Sequence, residues 1–214
     1  MHDAKIKKMT TIAMLCAISY VAMFTVRIPV VLFLKYEPKD VIIAIGGFMM
    51  GPMAAFIVSF VVGLIEMFTV SDTGIIGFVM NVLSSCSFAC VAALIYKYRK
   101  NIKGAVAGLV AGTVTMVSVM LLWNYLITPL YMNVPRSEVI KLLVPAILPF
   151  NVLKGFLNSA ITFLIYKPVV GALRRTKLIA SAKNGGKTSV GFSIVAVIVI
   201  ITCILSVLVL KGVI

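Results

Sequence analysis

The chain has 214 residues, of which 62% are hydrophobic and 12% charged, and its mean hydropathy is +1.15. Soluble domains contain about 25% charged residues, so this composition excludes a soluble protein and predicts an integral membrane protein. A transmembrane helix needs about 20 apolar residues, which leaves room for about six or seven spans and for no separate catalytic domain. The net charge of +14 is attributed to membrane topology and not to a nucleic-acid partner, because the basic residues lie mostly between apolar stretches.

The N-terminal half contains four apolar stretches. After the first, the segment RIPVVLFLKYEPKD (residues 27–40) combines five charges with two prolines, which predicts a loop or a re-entrant feature. The second stretch is too short to cross about 30 Å of hydrocarbon as a straight helix, and Gly51-Pro52 predicts a turn after it. Ser71-Asp72-Thr73 predicts a helix N-cap, because these side chains accept hydrogen bonds from free backbone amides. The four stretches are about 9–26, 41–50, 52–69 and 74–96.

The C-terminal half contains three more stretches. The fifth begins at Gly104 and ends near Ile127, before Pro129 and Pro135, which we expect to bracket a polar connection. The sixth carries Pro145 and Pro149 in its first turns, where a kink is expected. A basic linker then precedes a last stretch that is apolar on all sides. We therefore predict a six-helix membrane domain over 1–172, a basic cytoplasmic linker over 173–188 and an extra transmembrane helix over 189–214.

The basic residues also predict an orientation. With a cytoplasmic N-terminus, most of the 20 Lys and Arg residues fall on the cytoplasmic side, as the positive-inside rule requires. We therefore expect a multi-pass protein with its N-terminus in the cytoplasm. Lys154 is an exception, because it lies within the sixth stretch.

The segment PFNVLKGFLNS (residues 149–159) places a polar stripe on this stretch. At about 100° per residue, Asn151, Lys154 and Asn158 lie within about 60° of one another. An unpaired lysine this deep costs at least about 3 kcal/mol, and an intramembrane ionisable residue suggests a functional site. One interpretation is a structural ion pair with Glu66 and no ligand. The alternative, which we favour, is a cavity for a planar polar ligand, because each carboxamide offers both donors and an acceptor.

Other polar residues are expected to converge on this cavity. Asn124 and Thr128 lie one turn apart near the outer end of the fifth stretch, and Asn81 lies in the outer third of the fourth. The neighbouring aromatic residues Trp123, Tyr125 and Tyr131 fit either the site or an interfacial belt. The segment after the first helix could cover the cavity or could be an ordinary solvated loop; its candidate residues are Leu34, Tyr36, Glu37 and Asp40.

Small residues at four-residue spacing predict close helix contacts. They are Ala13 and Ala17 in the first stretch, and Gly104, Gly108 and Gly112 in the fifth. From spacing alone, packing within the chain is favoured over packing against a partner. The four cysteines lie in apolar stretches and are interpreted as small buried residues without a metal site.

Two patterns argue against enzymatic activity. The segment SAKNGGKT (residues 181–188) ends like a phosphate-binding loop, but it has Ser181 where the first glycine is required and no preceding strand. An intramembrane enzyme would need clustered carboxylates or a nucleophile with a base, whereas Glu66 is the clear intramembrane acid and His2 is the one histidine. We therefore expect no enzyme, no cofactor and no ATP hydrolysis by this chain.

The segments LKYEPKD, IGGFMMGP and PFNVLKG, in this order and with this pattern of helix lengths, resemble the substrate-binding S component of energy-coupling factor (ECF) vitamin transporters, most closely the riboflavin-specific member. The resemblance covers about residues 5–172, and the seventh stretch departs from the six-helix pattern. It implies an all-α bundle with a short second helix in a bacterial plasma membrane. It also implies an outward-facing pocket that the loop after the first helix covers.

The resemblance also implies roles for residues. By position, Asn124, Asn151 and Lys154 would meet the polar edge of the isoalloxazine ring, with Asn158 nearby. The lid residues Leu34, Tyr36, Glu37 and Asp40 would lie at the ribityl end, and Ala13 and Ala17 would contact the transmembrane coupling subunit. Uptake would further require two ATPase subunits. The alternatives are an S component for another vitamin or flavin precursor, an intramembrane enzyme, or a structural membrane protein.

Overall fold

The computed structural model describes residues 2–31, 34–71, 73–175 and 190–210. It is a bundle of helices with one small hairpin, and it confirms the predicted all-α membrane fold with a short second helix and an additional C-terminal helix. The elements are α1 (His2–Thr25), β1 (Ile28–Val31), β2 (Leu34–Tyr36), α2 (Lys39–Met50), α3 (Pro52–Thr69), α4 (Gly74–Tyr98), α5 (Ile102–Met132), α6 (Arg136–Leu142), a π-helical turn (Leu143–Ile147), α7 (Leu148–Arg175) and α8 (Val190–Leu210).

Five helical stretches in the described part of the chain are long and apolar enough to cross a membrane. The fully described apolar part of α8, Ser193–Leu208, is shorter, and α2 has 12 residues, which gives about 18 Å at 1.5 Å per residue. The five stretches are Lys5–Thr25, Pro52–Thr69, Gly74–Tyr98, Ile102–Leu130 and Arg136–Tyr166.

The segment predicted as a loop or a re-entrant feature contains an antiparallel β-hairpin. Its strands pair Ile28 with Tyr36 and Pro29 with Lys35. In β2 the side chains alternate between buried and exposed, as expected for a strand with one packed face. We call β1 and β2 together the hairpin lid.

The turn between α2 and α3 is confirmed. Gly51 adopts φ 94°, where a side chain would be strained, and Pro52 starts α3, where its missing N–H is not needed. α4 begins at Gly74 as predicted, but Thr73 provides no side-chain cap. Instead the Thr73 N–H donates to Ser71 Oγ at 3.3 Å; Asp72 lies outside the described residues.

The two proline-rich segments behave differently from each other. Pro129 was expected to lie outside the fifth helix, but α5 continues through it to Met132. Its position near the helix end limits the loss to one backbone hydrogen bond, and the helix stops at Asn133, which adopts φ 52°. Near Pro145, where a kink was expected, the chain forms the π-helical turn Leu143–Ile147, one of the irregularities found where helices bend.

The glycines of α5 pack within the chain. A Cβ added at Gly108 would lie 2.6 Å from the Ala92 carbonyl oxygen, and one added at Gly112 would collide with the Phe88 carbonyl oxygen. The backbones of α4 and α5 therefore approach closely, as small-residue spacing predicts. Gly104 instead faces the backbone of Arg99, in the turn before the helix.

The C-terminal part of the chain is described in two pieces. α7 extends to Arg175, and α8 packs against it. Most of the predicted basic linker, residues 176–188, lies outside the described residues, and so does the segment SAKNGGKT.

Candidate ligand-binding site

A cavity of about 300 Å³ lies between the hairpin lid and helices α3, α4, α5 and α7. This volume is at the lower end of the range for small-molecule sites, about 300–1,000 Å³. Six of the residues predicted from the sequence line the cavity: Leu34, Glu37, Asn81, Thr128, Asn151 and Lys154. Four others do not line it: Tyr36, Asp40, Asn124 and Asn158.

Lys154 lines the cavity and also pairs with a carboxylate. Its Nζ lies 3.1 Å from Asp40 Oδ2 and donates to Ser84 Oγ at 3.3 Å. The suggested partner Glu66 was therefore wrong, because Asp40 at the start of α2 occupies that position. The two interpretations of Lys154 are compatible in the structure, since the ion pair satisfies the buried charge while the side chain still borders the cavity.

Asp40 connects the lysine to residues behind the cavity wall. It is fully buried and accepts hydrogen bonds from Ser85 Oγ and, at 3.4 Å, from Asn158 Nδ2. Tyr36 in β2 donates to Asn158 Oδ1 at 2.9 Å. The lid, α2 and α7 are thus joined by one buried polar network that supports the cavity from behind.

The Tyr36 hydroxyl is held in its neutral form. Burial, followed by the negative charge of Asp40, raises the pKa of this phenol well above its ordinary value. The hydroxyl therefore remains a donor to Asn158 at any physiological pH.

A second buried ion cluster lies at the lid end of the cavity. Glu37 pairs with Arg27 at 2.9 Å and with Lys39 at 2.8 Å. Glu66 contacts Lys39 and accepts a hydrogen bond from Asn81 Nδ2 at 2.9 Å. Four of these residues line the cavity: Arg27, Glu37, Glu66 and Asn81.

Taken together, the two groups of ion pairs balance their charges. Three cationic side chains, Arg27, Lys39 and Lys154, are paired with three carboxylates, Glu37, Glu66 and Asp40. Buried charges require such pairing.

Three of the four predicted amide and hydroxyl residues of α5 and α7 bond within their own helices, whereas Asn158 bonds to Tyr36 and Asp40. Asn124 Nδ2 donates to the Met120 carbonyl at 2.7 Å, and Asn124 Oδ1 accepts from Thr128 at 2.9 Å. Asn151 Nδ2 donates to the Ile147 carbonyl at 2.8 Å. Asn151 and Thr128 border the cavity, whereas Asn124 supports Thr128 from behind.

The aromatic residues of α5 divide between the two interpretations given to them. Trp123 lines the cavity, next to apolar walls formed by Met120 and Phe150. Tyr125 is 37% exposed, and the Arg136 guanidinium lies 5.8 Å from its ring centroid, which is typical of an interfacial aromatic. The side chain of Tyr131 lies outside the described residues.

The sequence reasoning missed several cavity residues. Arg27 was not predicted as a site residue, although its position directly before the lid could have indicated a partner for the lid carboxylate Glu37. Met120, Phe150 and Ile76 are apolar residues in apolar helices, and no sequence signal separates a cavity wall from a lipid-facing position.

The predicted partner surface lies on the outside of the bundle. Ala13 and Ala17 are both exposed on α1. The same helix buries Leu15, Ser19 and Met23 on its other side, so the two alanines do not mediate packing within the described chain.

A multi-pass helical bundle with a cavity of this size, lined by both polar and apolar side chains, indicates a membrane protein that binds a small molecule. The family model for the substrate-specific component of ECF transporters matches residues 7–166. The chain belongs to this family, whose members are transport components rather than enzymes and work with a transmembrane coupling subunit and ATPases.

Two relatives and one solved structure are similar to most of the chain. The riboflavin transporter RibU of Staphylococcus aureus (strain TCH60) is 31% identical over 179 residues, which is 79% of this chain and 93% of the relative. The riboflavin transporter FmnP of Bacillus subtilis (strain 168) is 29% identical over 174 residues, covering 76% and 91%. The solved S component of a bacterial ECF transporter aligns with a TM-score of 0.67 and 31% identity over 80% of this chain and 99% of the other.

Proposed function

We propose that this chain binds riboflavin in the cavity between the hairpin lid and α7, as the substrate-binding subunit of an ECF importer in the plasma membrane. The single observation that carries the proposal is the cavity itself, which places Lys154 and Asn151 beside the apolar walls of Trp123 and Phe150. The names of both relatives support the choice of ligand.

The chemistry of the cavity matches a flavin. The isoalloxazine ring is flat and largely apolar, and one edge presents an acceptor, a donor and an acceptor. Asn151 and Lys154 supply donors for that edge, while Trp123 and Phe150 cover the faces of the ring. The polar lid end, with Glu37 and Asn81, suits the hydroxyl groups of the ribityl chain.

The remaining assignments follow from this proposal. The N-terminus is cytoplasmic, so that most basic residues lie inside and the lid lies on the outer side, where the vitamin enters. Ala13 and Ala17 contact the coupling subunit. Translocation against a gradient draws its energy from separate ATPases.

The experiment that tests this function is a fluorescence titration. Protein purified in mild detergent from rich medium should be yellow, and the flavin-free protein should quench riboflavin fluorescence at nanomolar to micromolar concentrations. Unrelated vitamins should fail to displace riboflavin. A colourless protein without quenching would exclude riboflavin while leaving the fold assignment intact, and displacement by another vitamin would favour the alternative S component.

A further inference from the structure

Helix α8 lies outside the matched residues 7–166, and ligand binding as proposed above assigns it no task. It nevertheless has one face that packs on the protein. The packed residues fall at positions i, i+3, i+4, i+7 and i+11, the spacing of a stripe on a single face of a helix. They are Ala196 and Cys203, which are buried, and Val199, Ile200 and Val207, which are partly buried.

This stripe reaches the hairpin lid as well as α7. Cys203 belongs to one buried apolar cluster with Val30 and Leu34 of the lid and with Phe150 and Leu153 of α7, and Val199 and Ile200 pack against that cluster. α8 also contacts β1 directly. The helix therefore covers the joint between the lid and α7.

The residues at this joint are also part of the binding site. Leu34 and Phe150 line the cavity, and Tyr36 joins the lid to Asn158 of α7. A movement of the lid away from α7 would separate Leu34 from Phe150 and open the cavity wall. α8 packs against both sides of that joint.

The lid needs such support on physical grounds. An isolated two-stranded hairpin is marginally stable, and this one pairs β1 with β2 and no further strand among the described residues. Its buried side chains, Val30 and Leu34, have to pack on another element to hold the lid in place. α7 supplies one such surface and α8 supplies the other.

We propose that α8 is a strap that holds the hairpin lid against α7 and thereby slows the entry and release of the ligand. The part of the inference that concerns ligand exchange rests on the proposed function. The part that concerns the lid does not, because restraint of the hairpin can be measured without a ligand.

The test compares two triple variants of the full chain. Val199→Ala, Ile200→Ala and Cys203→Ala together remove the packed stripe. The matched control, Val197→Ala, Ile201→Ala and Ile204→Ala, removes similar side chains from the exposed face of the same helix. Amide hydrogen exchange of β1 and β2 is measured in detergent without ligand, and riboflavin dissociation is measured by recovery of fluorescence.

The stripe variant should exchange the lid amides roughly tenfold faster than the unmodified protein, because exchange reports local opening. It should also release riboflavin roughly tenfold faster, since affinity differences reside mostly in the dissociation rate. The control should change both rates less than about twofold. Equal exchange rates of the lid amides in all three proteins would contradict the proposal. Acceleration of lid exchange in the control variant as large as in the stripe variant would also contradict it.

A substitution in the lid tests the contact from its other side, because the stripe variant alone could act by detaching α8 from the protein. Val30→Ala should accelerate lid exchange to a similar extent, and combining it with the stripe variant should add little, because contacting residues act non-additively. Strictly additive effects would contradict the contact. If the unmodified protein does not bind riboflavin, the proposed function fails while lid exchange still decides the role of α8.

Discussion

Lys154 shows at the scale of one residue how a membrane protein can hold a buried charge next to a binding site. Asp40 neutralises it at 3.1 Å, and Ser85 and Asn158 donate to that carboxylate in turn. Removing one partner of a buried pair leaves the other charge unpaired, which costs about 3–5 kcal/mol. The ion pair therefore has a structural role that is separable from ligand contact.

A double substitution separates the two roles. Lys154→Met should lower both thermal stability and riboflavin affinity, because it leaves the buried Asp40 carboxylate without its ion-pair partner and removes a hydrogen-bond donor from the cavity. Adding Asp40→Asn should restore most of the stability, because no buried charge is then left unpaired. Riboflavin binding should remain weakened by about tenfold or more, because one charge-assisted hydrogen bond to the ligand is still missing. Thermal unfolding in detergent and fluorescence titration give the two readouts.

The control for this pair is Lys141→Met, which removes an exposed ion pair with Glu138. It should change neither readout, because surface pairs contribute little. Restoration of binding in the double variant would show that the lysine serves the fold and not the ligand.

At the scale of elements, the close contact between α4 and α5 forms the frame for one side of the cavity. α4 carries Asn81 and Ser84 and α5 carries Trp123 and Thr128, so a shift between these helices changes the distance across the site. Gly108 and Gly112 fix that distance, since a side chain at either position would collide with backbone carbonyl oxygens of α4.

Gly112→Ala should destabilise the protein by about 1–3 kcal/mol, because the added methyl group meets backbone rather than a flexible side chain. The measurement is the thermal midpoint in detergent. Ala107→Val serves as the control, because it enlarges an exposed position on the same helix. An unchanged midpoint for Gly112→Ala would mean that the two helices separate easily.

At the scale of the whole molecule, the cavity proposed for the ligand and the surface proposed for assembly lie on different parts of the bundle. The cavity is lined by the lid and four helices, whereas Ala13 and Ala17 are exposed on the outside of α1. Small residues at this spacing let another helix approach closely. The two activities should therefore be separable by mutation.

Ala17→Trp should leave riboflavin affinity unchanged and abolish co-purification with the coupling subunit, because the indole ring blocks close helix contact. Val114→Trp, on an exposed position of α5, is the matched control and should affect neither property. Loss of riboflavin binding in Ala17→Trp with normal assembly would show that the two surfaces are assigned the wrong way round.

The sequence by itself determined the membrane class, the helix order, the short second helix and the polar stripe on α7. Each of these depends on local properties, namely the length of apolar runs, the positions of glycine and proline, and the 100° step of a helix. Lys154 and Asn151 were found in this way, because a charge and an amide on an apolar helix stand out against their immediate neighbours.

The tertiary structure alone decided which groups meet. It pairs Lys154 with Asp40 rather than Glu66, forms a hairpin where the sequence predicted a loop or a re-entrant feature, and brings Cys203 of α8 against the lid. These contacts join residues far apart in the chain, and several carboxylates and apolar faces were equally compatible with the local pattern. Their selection depends on how the helices pack, which is a property of the assembled bundle.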